Sequence, residues 1–280
     1  MFADTAALAR ECAQQGRGLA AFNVVLLDHA EAFIDAAERC GLPLVLQLSQ
    51  NAVKYHGGRL APLGKALLEL ARASSARVAV HLDHAEDPDL CRAAIDLGFT
   101  SIMYDGSRLP DADNRASTRR IAEAAHAAGV SIEAELGEVG GKNGVHDPSA
   151  RTDPDDAAAF VADTGVDMLA VAVGSSHAMA TRDAVLDNTR IAAIHRAVAV
   201  PLVLHGSSGV PDDGMRSAIR AGMTKINVST HLNAVFTSDV RRTLGEDPRV
   251  VDPRKYMGPA NRAVSAEAER LMRLCTTAHD

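Results

Sequence analysis

Eight short apolar runs recur along the chain, at 19 to 24, 43 to 49, 77 to 83, 101 to 105, 130 to 136, 168 to 173, 201 to 205 and 225 to 229. They are rich in Val, Ile and Leu and are apolar at consecutive rather than alternate positions. That is the pattern of strands covered on both faces, as in parallel sheets. Their starts lie 24 to 38 residues apart, room for the helix that a parallel crossover requires. In the intervals, apolar residues return at spacings of three and four, as in Leu60, Leu63, Leu67 and Leu70, or Ile121, Ala124, Ala125 and Ala128. Asp87-Pro88 and Asp153-Pro154 each supply an N-cap followed by a proline at the first helical position. Gly41, Gly98, Gly129, Gly165 and Gly222 stand where left-handed C-terminal caps are wanted, just before the next run.

Eight strand–helix units in 280 residues predict the α/β class and a single (β/α)8 TIM barrel. A doubly wound open sheet would use fewer strands. It would also carry a Gly-x-Gly-x-x-Gly loop after the first run, where Phe22-Asn23-Val24 stands instead. No linker-like stretch divides the chain, so residues 1–280 read as one barrel domain with a C-terminal helical extension after the eighth run.

The partners are narrowed by composition. With 29 Lys and Arg against 36 Asp and Glu, and no basic cluster, neither nucleic acid nor an anionic membrane surface is expected. Aromatic residues make up only 3% with no Trp, which argues against a stacking platform for single strands. Cys12, Cys40, Cys91 and Cys275 are widely separated, with no C-x-x-C pair, as befits reduced thiols packed in a cytoplasmic protein. Neither a signal peptide nor an apolar stretch of membrane-spanning length is evident.

In such a barrel the chemistry belongs at the carboxyl ends of the strands. Those ends offer Asn23, Gln47 and Ser49, Asp83 and His84, Asp105, Glu135, His177, His205, and Asn227 with Ser229 and Thr230. His84, His177 and His205 come from strands three, six and seven. Three imidazoles converging at one rim suit a catalytic zinc ion with an open coordination position. Spacing alone does not choose between His81 and His84. Asp105 and Glu135 end strands as alternative ligands or as acceptors from imidazole N–H groups. Asp83, next to a ligand, suits proton transfer to a substrate hydroxyl. His205-Gly206-Ser207-Ser208-Gly209 follows run seven and Asn227-Val228-Ser229-Thr230 ends run eight, where barrels commonly cradle phosphate. The glycines of segment 137–144 predict a mobile loop over the mouth.

Together these residues resemble the class II, metal-dependent fructose-bisphosphate and tagatose-bisphosphate aldolases. The motifs that carry the likeness are His81-Leu82-Asp83-His84, Glu133-Ala134-Glu135-Leu136-Gly137 with Gly140-Gly141, Leu204-His205-Gly206, Lys225-Ile226-Asn227 and Asp252-Pro253-Arg254-Lys255-Tyr256. The resemblance implies zinc on His84, His177 and His205, an alternative metal position at Asp105 and Glu135, and Asp83 as the acid/base. It implies that Gly206, Ser208, Asn227, Ser229 and Thr230 hold the dihydroxyacetone-phosphate half of a phosphorylated ketose, while Asn23, Gln47 and Ser49 line the other half. Ser49 and Arg254 would grip the distal phosphate, Arg254 from a neighbouring subunit of a homo-oligomer, a dimer or tetramer. A monovalent cation near Gly174 and Gly206 is a further implication.

Two departures from the family pattern stand out. The acidic residue expected after the Gly-Gly pair is replaced by Lys142-Asn143, leaving Glu138, or His146 and Asp147, to exchange the proton next to the carbonyl. The Gly-x-Tyr-Lys phosphate segment reads Ala178-Met179-Ala180-Thr181-Arg182, with Arg182 as its cation. The expected activity is cleavage of a ketose 1,6-bisphosphate, fructose foremost. The rivals are an aldolase for tagatose bisphosphate or another ketose phosphate, and a non-catalytic partner subunit. A Schiff-base mechanism would need a lysine at a strand's carboxyl end, and Lys225 reads as beginning the eighth run.

Overall fold

A computed structural model describes residues 1–136, 151–176 and 181–276. Its elements in order are α1 (Thr5–Gln14), β1 (Leu19–Asn23), α2 (Leu27–Cys40), β2 (Leu44–Ser49), α3 (Gln50–Tyr55), α4 (Leu60–Ala73) and β3 (Val78–Ala85). There follow α5 (Pro88–Leu97), β4 (Ser101–Tyr104), α6 (Asp111–Ala127), β5 (Ser131–Leu136), α7 (Pro154–Thr164), β6 (Met168–Val171) and α8 (Asn188–Ala197). The chain closes with β7 (Leu202–Leu204), α9 (Asp212–Arg220), β8 (Met223–Val228), α10 (Thr230–Glu246) and α11 (Pro253–Thr276). Every neighbouring pair of strands is parallel, and β1 pairs with β8, so the sheet is a closed eight-stranded barrel in sequence order.

The caps form as their residues dictate. Asp87 and Asp153 accept from backbone N–H groups of the first turns of α5 and α7, each with proline next in line. Gly41, Gly98 and Gly165 end α2, α5 and α7 in the left-handed conformation. One strand face packs on the helices in a large apolar cluster that includes Leu46, Val80, Leu82, Ile132 and Leu204. A second cluster lies inside the barrel, where Ala21, Val45, Ala79, Met168, Ala170 and Val203 meet Leu8, Ala9 and Cys12 of α1. The helix α1 thus plugs the amino end, its own N-terminus capped by Asp4 accepting from Ala7 N at 2.7 Å.

Side chains alternate along each strand, so the residues two steps beyond that apolar floor also point inward. The inward set is Asn23, Gln47, His81 and Asp83, Glu133 and Glu135, His205, Lys225 and Asn227. All but Asn23 are buried. The barrel is therefore apolar at its base and polar toward its mouth.

One strand limit differs from the expectation. The strand β8 begins at Met223, so Lys225 is its third residue and lies fully buried in the barrel interior. Among the described residues no helix is long and apolar enough to cross a membrane.

Candidate active site

His84 owes its place to a defect in the sheet. Leu82 pairs with Ile102 and Ala85 with Tyr104, so β3 carries one extra residue against β4, a bulge. At the bulge His84 takes φ +47°, rare for a residue with a Cβ. Strict alternation would put His84 on the outward face with Leu82. The bulge turns it inward instead, and its ring stacks edge-on against that of His205 with centroids 4.5 Å apart. His81, the alternative left open by spacing, is engaged elsewhere: its Nδ1 lies 2.7 Å from Ser101 Oγ, and the ring is wholly buried. Burial, and then the Lys225 ammonium, push its pKa down to about 3, so His81 is neutral.

Two groups of potential ligand atoms result. Asp83, His84 and His205 offer atoms within 4.8 Å of one another, and so do His84, Asp105 and Glu135. Each imidazole has a carboxylate behind it. His84 Nδ1 lies 2.8 Å from Asp105 Oδ2, while Asp105 Oδ1 accepts from the Ser107 hydroxyl at 2.6 Å. His205 Nδ1 lies 3.0 Å from Glu135 Oε2, and its Nε2 lies 3.0 Å from Glu133 Oε1. Burial disfavours the His205 imidazolium, but the hydrogen bonds to Glu133 and Glu135 outweigh it and raise the pKa to about 9.

Asp83 lies against the same cluster. Asn23 Nδ2 donates to its Oδ2 at 2.7 Å, and Gln47 Nε2 donates to Asn23 Oδ1 at 3.2 Å. Burial would raise the Asp83 pKa, yet His84, Lys225 and His205 together hold it below the usual carboxylate value. Its Oδ1 is buried and has no hydrogen-bond partner among the described residues. A buried carboxylate oxygen left bare beside two imidazoles is what a cation or a substrate hydroxyl would satisfy. The donor set, imidazole nitrogens with carboxylate oxygens, fits a divalent transition ion.

The same rim continues in the segments after β7 and β8. Gly206 has φ +66°, and a Cβ there would lie 2.6 Å from the Ser176 carbonyl carbon and oxygen. It leads into a short 3-10 turn, Ser207–Gly209. The Ser207 hydroxyl donates to the Asn227 carbonyl, and Ser208 Oγ accepts from His231 N at 3.2 Å, so the two segments are stapled together. Ser229 and Thr230 open α10, and the Ser229 side chain makes no cap hydrogen bond. Gly206→Ala is expected to lower the thermal midpoint, since the left-handed conformation alone costs about 1–2 kcal/mol with a Cβ and Ser176 backbone must shift besides. Because His205 is its neighbour, divalent-metal affinity should fall as well; thermal melts with and without zinc check both.

Other expected site residues are placed differently. Ser49 caps α3, its Oγ accepting from Ala52 N at 3.1 Å. The Arg182 guanidinium is pinned to the start of α9, donating to Val210 O at 2.7 Å and Asp212 Oδ1 at 2.6 Å. Arg254, with its side chain 89% exposed, is paired with Asp252 at 2.8 Å. Gly174 has φ +112°, with room for a Cβ denied by the Val185 carbonyl. His177 and Glu138, together with Lys142, Asn143, His146 and Asp147, lie outside the described residues.

Sequence reasoning gave Glu133 no role beyond its motif and read Lys225 as sitting at a strand's start. Lys225 Nζ instead lies 2.9 Å from Glu133 Oε2 and donates to Asn227 Oδ1 at 2.9 Å, with both charged side chains inaccessible. The period of two was the signal: each precedes a recognised site residue by two positions on the inward face. Burial would raise the Glu133 pKa, but the Lys225 ammonium and then the His205 hydrogen bond keep it well below the usual range.

Comparison with known proteins agrees with this geometry. The family described as fructose-bisphosphate aldolase class-II matches residues 3–280. A fructose-bisphosphate aldolase of Thermus caldophilus is 38% identical, over 95% of this chain and 95% of its own length. One from Geobacillus stearothermophilus is 40% identical over 90% and 89%. Among solved structures, the YdjI aldolase of Escherichia coli superposes with a TM-score of 0.87 at 28% identity, covering 100% of this chain and 99% of the other. With a match across the barrel and motifs that converge at its mouth, the chain belongs to the class II fructose-bisphosphate aldolase family of carbon–carbon lyases.

Proposed function

We propose that the protein is a zinc-dependent aldolase that reversibly cleaves a ketose 1,6-bisphosphate, fructose 1,6-bisphosphate first, into dihydroxyacetone phosphate and glyceraldehyde 3-phosphate. The observation that carries this reading is Asp83, held ionised with its Oδ1 bare, in one cluster with His84 and His205. His84 and His205 would hold the zinc together with His177, while Asp105 and Glu135 orient the rings or offer an alternative position. When bound, the ion supplies Lewis acidity toward adjacent oxygens of the sugar.

The rest of the chemistry falls to side chains of the chain. In cleavage, Asp83 Oδ1 takes the C4 hydroxyl proton as the C4 oxygen becomes the aldehyde carbonyl and the C3–C4 electron pair stays on C3. Asn23, donating to Oδ2, keeps Oδ1 aimed; Gln47 holds Asn23. C3 then needs a proton, for which Glu138 is the proposed donor. Gly206, Ser208, Asn227, Ser229 and Thr230 would hold the dihydroxyacetone-phosphate end with backbone N–H groups, hydroxyls and an amide. Asn23, Gln47 and Ser49 line the other end. We further propose that Arg254 reaches a neighbouring subunit of a cytoplasmic homo-oligomer and that a monovalent cation sits near Gly174 and Gly206. A Schiff base is disfavoured because the amine of Lys225 is buried against Glu133 and Asn227.

A second reading, an aldolase for tagatose bisphosphate or another ketose phosphate, is favoured by one contact. Arg182, the cation expected at the phosphate segment, is committed to Asp212 and Val210. Turnover of fructose and tagatose bisphosphates and of monophosphorylated ketoses separates the two. Fructose 1,6-bisphosphate should be cleaved, with activity abolished by exhaustive chelation and restored by zinc. Full turnover after chelation would refute the metal-dependent mechanism, and equal inactivity on both bisphosphates would refute the substrate.

A further inference from the structure

A buried ion pair is weak evidence of stability, because well-packed apolar side chains of similar volume do as well or better. The barrel nonetheless places a lysine and a glutamate, both with no exposed side-chain surface, one layer below the mouth and directly above an apolar floor. Their contacts are directional. A carboxylate can only accept, so Glu133 Oε1, 3.0 Å from His205 Nε2, requires a proton on that nitrogen. By the same rule Nδ1, 3.0 Å from Glu135 Oε2 on the mouth side, also carries a proton in the metal-free ring, and it is the nitrogen whose proton a metal would displace. An ammonium can only donate, so Lys225 Nζ turns the Asn227 amide oxygen down toward itself. The amide's other limb, a donor, is left for the rim.

We infer that Lys225 and Glu133 are positioning residues: one buried pair sets both the His205 tautomer and the orientation of the Asn227 amide, so that a metal-binding nitrogen and a substrate-facing N–H₂ are fixed together. The inference rests on the proposed metal-dependent reading. Neither residue touches the substrate; each acts through its neighbour, as outer partners of metal-ligating histidines do.

The test uses the full chain with zinc as the probe. Lys225→Met with Glu133→Gln removes both charges at similar volume and avoids leaving one ion unpaired in the core. Zinc affinity, read by competition with a chromophoric chelator, should fall about 10–100-fold, with the metal-free thermal midpoint held or raised. In the double variant KM for the ketose phosphate should also rise, as the Asn227 amide is free to turn over. Wild-type zinc affinity in a folded double variant would overturn the inference while leaving the metal-dependent reading intact. Zinc failing to bind the wild type would overturn both. A measurement that needs no variant is nitrogen NMR of the zinc-loaded wild type with labelled histidine. His205 should carry its proton on Nε2, and a proton on Nδ1 would overturn the assignment.

Discussion

Asp83→Asn is expected to cut kcat for cleavage by about 10²–10⁴-fold, the range a positioned general base contributes, with little change in zinc content. The reason lies in the hydrogen bond from Asn23. Its Nδ2 needs an acceptor at the Oδ2 position, so an asparagine at 83 keeps its carbonyl oxygen there and places its own N–H₂ where Oδ1 now stands. A donor then faces the substrate hydroxyl that has to give up a proton. Because the Asp83 carboxyl is held below its ordinary value, the wild type keeps this base ionised at every pH above that value. Activity due to this group declines only as pH falls through the lowered pKa, below the usual aspartate range. A variant within tenfold of wild type in single-turnover cleavage would mean that another group takes the proton.

The barrel was legible because its signals are periodic and local. Runs at near-constant intervals, Asp-Pro at helix starts and glycines at helix ends each follow from backbone chemistry that does not depend on distant residues. The strand-end rule then brought Asp83, Asp105, Glu135, His205 and Asn227 to one rim from the sequence alone. What resisted reading depends on register. His81 and His84 could not be told apart because the inward face of β3 changes hands at a one-residue bulge, visible only once β4 lies beside it. Lys225 was misplaced because Met223 and Thr224 do not extend the Val/Ile/Leu run, although both belong to β8 and Met223 pairs with Leu202. Glu133 stood in a motif but was given no role, because a charged residue inside a buried strand gains meaning only from its partner across the barrel. Arg182 shows the same limit: sequence supplies a cation near the phosphate segment, while Asp212, at the start of α9, decides where it points.

Zinc affinity should fall about tenfold for each pH unit below about 9, since one proton must leave His205 for each metal bound. The cause is the pair of carboxylates flanking that ring, which raise its pKa to about 9 despite full burial. Over pH 6 to 9 this amounts to about three decades of affinity from one residue. The metal-free protein has the opposite preference. A histidine whose folded pKa exceeds its ordinary value of 6.5 adds stability that is complete below pH 6.5 and is lost as pH rises through about 9. Glu133 does not distort that window, because its pKa is lowered and its contribution is lost only on further acidification below the ordinary carboxylate value. The thermal midpoint of the stripped protein should therefore sag toward pH 9, and the gain on adding zinc should widen over the same interval. Paired melts at pH 6, 7.5 and 9, with chelator or with buffered zinc, read both slopes. A zinc-induced shift that stays constant or narrows with rising pH would show that His205 gives up no proton on binding, and with it that the ring between Glu133 and Glu135 is not a ligand.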